Sequence, residues 1–301
     1  MLDKIKRAMF PITLSKGLEV ISEIHKGSQT IRWYNAVLQQ LIEMIGDIQV
    51  QKVTTQHIDD WLADVKSRHL SPWTSNSYVR AMKAFLNHMV KIGHLEVSPA
   101  AHLKVPKVPR SKPKDISDRD LAELVRVSKI NRRDYALICT LRDTGCRVGG
   151  LVSMTVDAIH IEQLDNGNRR GKAMVIEKGA RPRWVFFGNE CAMAIIDYLE
   201  VRPQYAPAEL WLNYKFDGGL STQGVYHVLR RYAKMAGVKR FNPHAFRHRL
   251  AKKLEAERIP HRAIQEIMGW TSDAMLQMYV AYSVDELQRQ YERYQNGDGD
   301  S

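Results

Sequence analysis

His244 and Arg247 stand three residues apart just after Asn242-Pro243, and the same stretch goes on to carry Trp270 and, nine positions later, Tyr279. Asparagine caps helix N-termini and proline suits the first turn, so the pattern predicts a helix beginning here with His244 and Arg247 on one face. The free backbone N–H groups and dipole of such an end favour an anion. Guanidinium, imidazole and indole N–H groups can hold phosphate oxygens while a tyrosine hydroxyl attacks the phosphorus, so the chemistry on offer is phosphoryl transfer without a metal. Taken singly, each residue has a plainer account: Trp270 as core, Tyr279 as part of an amphipathic helix, His244 with His248 as a metal pair. The metal account fails on chemistry, because Ala245 stands where a zinc-dependent hydrolase needs glutamate and no third ligand is evident. Tyr282, Tyr291 and Tyr294 are rival nucleophiles, with Tyr282 on roughly the same face as Tyr279.

Elements must hold these groups. Phe246, Leu250 and Leu254 recur every four residues, an apolar stripe that anchors the first helix, and a second helix is expected over 260–268. Upstream, an apolar helix over 134–143 ends at Gly145, a natural C-cap, and Arg147 follows at a helix-to-helix corner, where an arginine is usually a surface residue. Alternation over 158–162, an Asn166-Gly167 turn, and strands over 172–177 and 183–187 predict a small antiparallel sheet. Lys178 sits at the tip of its last turn, with Lys172 and Arg181 as nearby competitors. Helices over 191–200 and 221–236 follow; Arg230 and Arg231 on the second could face nucleic acid or merely solvent. Ser283 and Glu286 form a capping box for a last helix over 284–294, ahead of a polar tail.

Residues 1–103 read as helices, with periodic apolar positions over 30–45, 55–66 and from Ser71-Pro72 to Gly93. The polar side of the third, with Asn76, Arg80 and Lys83, is a candidate for phosphate-backbone contact. Residues 104–116 contain Lys104, Lys107, Arg110, Lys112 and Lys114 among three prolines, which predicts an extended basic linker able to span roughly 30 Å. A helix then opens at Ser117, with Asp120 three residues on.

At 301 residues the chain can build two cores, and its net charge of +12 with a pI near 9.6 points to a polyanion, most simply nucleic acid. No apolar run reaches the length of a membrane span and no signal peptide is recognisable, so a cytosolic protein is expected. Cys139, Cys146 and Cys191 are unevenly spaced in apolar surroundings, which suits buried thiols.

The set His244-x-x-Arg247, Gly269-Trp270 and Tyr279 resembles the catalytic half of the tyrosine recombinases, the phage-integrase and Xer-like family. Thr144-Gly145-Cys146-Arg147 resembles that family's T-G-x-R, and Glu177-Lys178-Gly179 its lysine-bearing turn. Ser71 to Tyr78 and Gly93 to Ala100 resemble its core-binding domain. The resemblance covers about 15–290 and implies a mainly α fold with a small antiparallel β-sheet: a helical core-binding domain (1–103), the linker (104–116) and a mixed α/β catalytic domain (117–301). It implies Tyr279 as nucleophile, Arg147, Arg247, His244 and Trp270 on the phosphate, and Lys178 as general acid, with no cofactor. The partner implied is double-stranded DNA at short inverted-repeat core sites, bound by dimers that pair as tetramers through the C-terminal helix, with room for an accessory directionality factor. Two departures stand out. Trp270 replaces the commoner histidine, and Gly150 replaces an acidic residue three after Arg147 that helps hold the corner, which leaves the support of Arg147 an open question. A DNA binder with an impaired site, a type IB topoisomerase and a metal-dependent nuclease share parts of this signal.

Overall fold

Among the described residues, helical spacing of apolar residues becomes four packed helices in the N-terminal part of the chain, as a computed structural model gives it: α1 (Leu14–Ile24), α2 (Gln29–Ile45), α3 (Thr55–Ser67) and α4 (Pro72–Lys91). The structure describes residues 11–24, 29–108, 115–177, 181–239, 241–270 and 288. It divides into two units, Met1–Ser111 and Lys112–Ser301. Caps set the helix starts in the first unit: Thr54 and His57 form a capping box at α3, and the Ser71 hydroxyl accepts from the Thr74 N–H ahead of Pro72 at α4. Leu38, Leu41, Trp61, Met82 and Phe85 interlock as the core. The α1 helix, missed in the sequence although Leu14, Leu18 and Ile21 recur at helical spacing, is fastened at its start by the Ser15 N–H on Asp47 at 2.9 Å.

Lys83 differs from expectation. Its ammonium donates to the carbonyls of Ala100 and Ala101 at 3.1 Å each and of Leu103 at 2.7 Å, so all three of its donors clasp the end of the unit onto α4. Asn76 likewise donates to the Pro106 carbonyl at 2.6 Å. Arg80 on the same helix is exposed, as are Lys104 and Lys107, whereas Arg110, Lys112 and Lys114 lie outside the described residues.

The second unit is mainly α around a three-stranded antiparallel sheet. Its described helices and strands include α5 (Asp118–Ser128), α6 (Arg132–Thr144), α7 (Val148–Val152), β1 (Ile159–Gln163), β2 (Arg169–Glu177), β3 (Arg181–Phe187), α8 (Asn189–Val201), α9 (Thr222–Ala236), α10 (Pro243–Ala256) and α11 (His261–Met268). The strands run in the order β1-β2-β3, with Ile159 opposite Ala173 and Val175 opposite Arg183. Pleat alternation turns Ala173, Val175 and Glu177 inward and leaves Ile176 exposed, with Lys172 on the same outer face. The core gathers Leu137, Leu141, Val175, Ile195, Trp211 and Phe246. The three cysteines are buried and unbridged, and burial pushes Cys139 up to about 12 and Cys146 up to about 11.

Arg231 is exposed, as either reading of it requires, and is also engaged within the unit. It pairs with the fully buried Asp134, which Arg133 holds from the other side at 2.6 Å and Tyr232 through its hydroxyl at 3.1 Å. Its charge therefore ties α9 to the start of α6. Arg230 is exposed. The turn at 178–180 and the helix expected over 284–294 fall outside the described residues, among which no helix is long and apolar enough to cross a membrane.

Removing the Lys83 clasp leaves three carbonyls without their charged donor. Lys83→Ala should lower the unfolding free energy by about 2 kcal/mol, while Arg80→Ala changes it by less than about 0.5 kcal/mol. Denaturant melts of the two variants measure this, and equal losses would show that the clasp carries no weight.

Candidate active site

Two chain corners come together to build the site. The first lies between α6 and α7. Gly145 caps α6 in the left-handed region at φ 51°, and Arg147 is the N-cap of α7. A β-carbon on Gly145 would approach Leu250 Cδ2 to 3.0 Å and the Arg247 Cα to 3.3 Å, so glycine lets α10 pack against this corner. The second is the end of α11, where Gly269 at φ 62° turns the chain into Trp270.

Arg247 joins the two. It is 3% exposed, donates to the Gly145 carbonyl at 2.9 Å and to the Met268 carbonyl, and lies 5.8 Å from the Trp270 ring. Loss of solvation, then the charge of Arg147, lowers Arg247 to about 10, so it stays cationic at neutral pH. Asn242 accepts from the Ala245 N–H at 2.9 Å and starts α10 as expected. Phe246 reaches the main core, whereas Leu250 and Leu254 pack on a smaller cluster with Ile264, Met268 and Trp270. The stripe therefore anchors α10 in two places. His244 is exposed in the first turn, its ring 6.4 Å from that of His248. Desolvation and the charges of Arg247 and Arg147 hold it below its ordinary range, so at neutral pH it is an uncharged imidazole with one N–H to donate.

Glu177, at the end of β2, meets Arg147 twice. Its Oε1 accepts the Arg147 backbone N–H at 2.8 Å, and its Oε2 pairs with the Arg147 guanidinium. Arg183 on β3 donates to the same carboxylate at 3.0 Å and to the Ile267 carbonyl at 2.7 Å. Burial pushes Glu177 up, but Arg183 and the two contacts of Arg147 outweigh it and leave the carboxyl below its usual value. Arg147 thus has a carboxylate partner although position 150 holds glycine. Among the described residues, three guanidiniums face one acid, an excess of positive charge suited to a bound phosphate.

Among the expected site residues, Arg147, His244, Arg247 and Trp270 come together; Lys178 and Tyr279 lie outside the described residues. Lys172 belongs to the opposite face of β2 from Glu177, with its ammonium 5.0 Å from the Trp184 ring. Glu177 and Arg183 were missed as partners of the site. The signal for them was the strand alternation itself, which carried past Val175 and Val185 puts charges on inward positions.

The family model described as "Phage integrase family" matches residues 114–286. Tyrosine recombinase XerA of Thermococcus kodakarensis is 30% identical over 292 residues, 93% of this chain and 96% of that protein. The crystal structure of the XerH site-specific recombinase bound to difH substrate in a pre-cleavage complex shares the fold with a TM-score of 0.67 at 18% identity, covering 88% of this chain and 79% of that one. That of the Tn1549 transposon integrase in complex with circular intermediate DNA does so with a TM-score of 0.66 at 18% identity, covering 94% and 100%. With the family model spanning most of the second unit and a relative matched along nearly its whole length, this chain belongs to the phage integrase family, the tyrosine recombinases.

Proposed function

We propose that this protein is a site-specific DNA recombinase that breaks and rejoins strands through a covalent 3′-phosphotyrosyl intermediate. The observation that carries this function is the convergence of Arg147, Arg247, His244 and Trp270 on one positively charged site, from positions far apart in the sequence. Their donors suit the non-bridging oxygens of a phosphodiester, where charge grows as the phosphorus becomes five-coordinate. Tyr279 attacks that phosphorus, its hydroxyl giving up its proton to water as its oxygen forms the new bond, and the P–O bond to the 5′-oxygen breaks, that oxygen taking a proton from Lys178 as general acid. The phosphotyrosyl bond keeps the energy of the original linkage, so the 5′-hydroxyl of another strand reverses the step and rejoins DNA without ATP or a metal ion.

The DNA is double-stranded and presents short inverted-repeat core sites. The N-terminal unit contributes backbone contacts through Arg80, the segment 104–116 lies along phosphates through Lys104 and Lys107, and Arg230 adds a contact from α9; these contacts position the protein without reading sequence. Dimers on one site pair as tetramers through the C-terminal helix. Exposure of Arg80, Lys104, Lys107 and Arg230 supports this assignment.

On a nicked duplex carrying a core site, in EDTA, Tyr279→Phe should give no SDS-resistant protein–DNA band and Tyr282→Phe should keep it. Absence of the band in the Tyr282 variant alone would move the nucleophile. Binding to the same duplex should weaken steeply with salt. Replacing Lys104 and Lys107 together by glutamine should reduce the slope of log K against log salt by about 2, roughly 0.9 for each phosphate no longer neutralised; an unchanged slope would remove the segment from the interface.

A further inference from the structure

We infer that Glu177 is a positioning residue for Arg147, seated where it is because Gly150 has no side chain, so that the guanidinium meets a scissile phosphate already oriented. The inference rests on the proposed phosphoryl transfer for its consequence, but its geometry stands on its own. Glu177 grips one residue at two points, the Arg147 backbone N–H with one oxygen and the guanidinium with the other. The first contact fixes the corner where α7 starts. The second fixes the direction of the side chain, which at 36% exposure still reaches solvent.

Arg183 completes the brace. Its side chain is 13% exposed, pairs with the same carboxylate, and donates to the Ile267 carbonyl at the end of α11, linking the hold on Arg147 to the turn that places Trp270. Glu177 itself is 5% exposed, so it can swing neither into water nor to another partner.

Gly150 explains why the carboxylate can sit there. Its backbone is not in the left-handed region, and nothing in its conformation calls for glycine. A β-carbon at this position would lie 2.9 Å from Glu177 Cγ and 3.3 Å from Glu177 Oε1. Any larger residue would have to share the space of Glu177. By the same geometry, an acidic side chain carried at position 150 would deliver its carboxyl into the space that Glu177 fills, provided Glu177 were removed. The two positions are alternative sources of one carboxylate, and this chain uses the strand rather than the helix.

The test compares wild type, Glu177→Gln and the double variant Gly150→Glu/Glu177→Gly as full chains. On the nicked duplex, Glu177→Gln should bind DNA within about twofold of wild type and form the adduct about tenfold more slowly or worse, because the orientation of Arg147 is lost while its own positive charge stays in the site. The double variant should recover most of the rate. A second readout needs no reaction on DNA: phenylglyoxal labelling of Arg147, mapped by mass spectrometry, should rise several-fold in Glu177→Gln and fall back in the double variant. Wild-type protein that makes no adduct but shows this labelling pattern would sink the recombinase function and leave the brace standing. Glu177→Gln with wild-type rate and labelling would overturn the inference. So would a loss of DNA binding and of cooperative unfolding in step with the rate, or a double variant that recovers neither rate nor labelling.

Discussion

A carboxylate almost without access to water, held among guanidiniums, is the constraint on which the second unit's site depends. An ionised Glu177 is costly to bury, and breaking such a pair by removing one partner costs about 3–5 kcal/mol, because the remaining charge keeps its desolvation penalty. The position is therefore tolerable only while β2, β3 and the start of α7 keep their present register, with Val175 opposite Arg183 and Glu177 at the strand end. Packing alone would let these elements slide by small amounts. A buried ion pair with a backbone N–H as third partner does not, since each bond tightens the geometric demand on the others.

The same construction recurs where no chemistry is expected. Asp134, fully buried, is held by Arg133, Arg231 and the Tyr232 hydroxyl, and it joins α6 to α9 across nearly a hundred residues of sequence. Lys83 clasps three carbonyls in the first unit. Some of this chain's positive charge that looks open to solvent in the sequence thus has carboxylate or carbonyl partners within the fold. A net charge of +12 indicates a polyanionic partner but not which cations meet it.

This difference marks what the sequence can reveal. Helices with local signals were legible: Ser71 before Pro72, Asn242 before Pro243 and Gly145 after Thr144 announce their caps within four residues, and the structure places the ends there. The antiparallel sheet was legible from alternation, though β2 begins three residues earlier than its apolar run suggests, because Arg169 and Arg170 pair across to Gln163 and Glu162 on polar side chains. The gathering of Arg147, His244, Arg247 and Trp270 was legible through motif spacing. What had no local signal was long-range pairing of charge. Nothing within ten residues of Lys83 or Arg231 distinguishes a clasp from a phosphate contact, and the partner that replaces the acid missing at 150 lies twenty-seven residues on, in a different kind of element.

The anchoring of the two central arginines also differs in kind. Arg247 is oriented by the carbonyls of Gly145 and Met268, which fix its direction through dipoles without a carboxylate in direct contact, and its lowered affinity for its proton reflects first desolvation and then the charge of Arg147, which Glu177 offsets only in part. Arg147 is oriented by a carboxylate, which fixes it more firmly and cancels part of its field. A site in which every arginine were paired with an acid would be stable and inert toward an anion; one in which none were paired would repel itself apart. One acid among three guanidiniums, as the described residues have it, lies between these limits: the frame survives without ligand, and the charge left over is what an incoming phosphate completes.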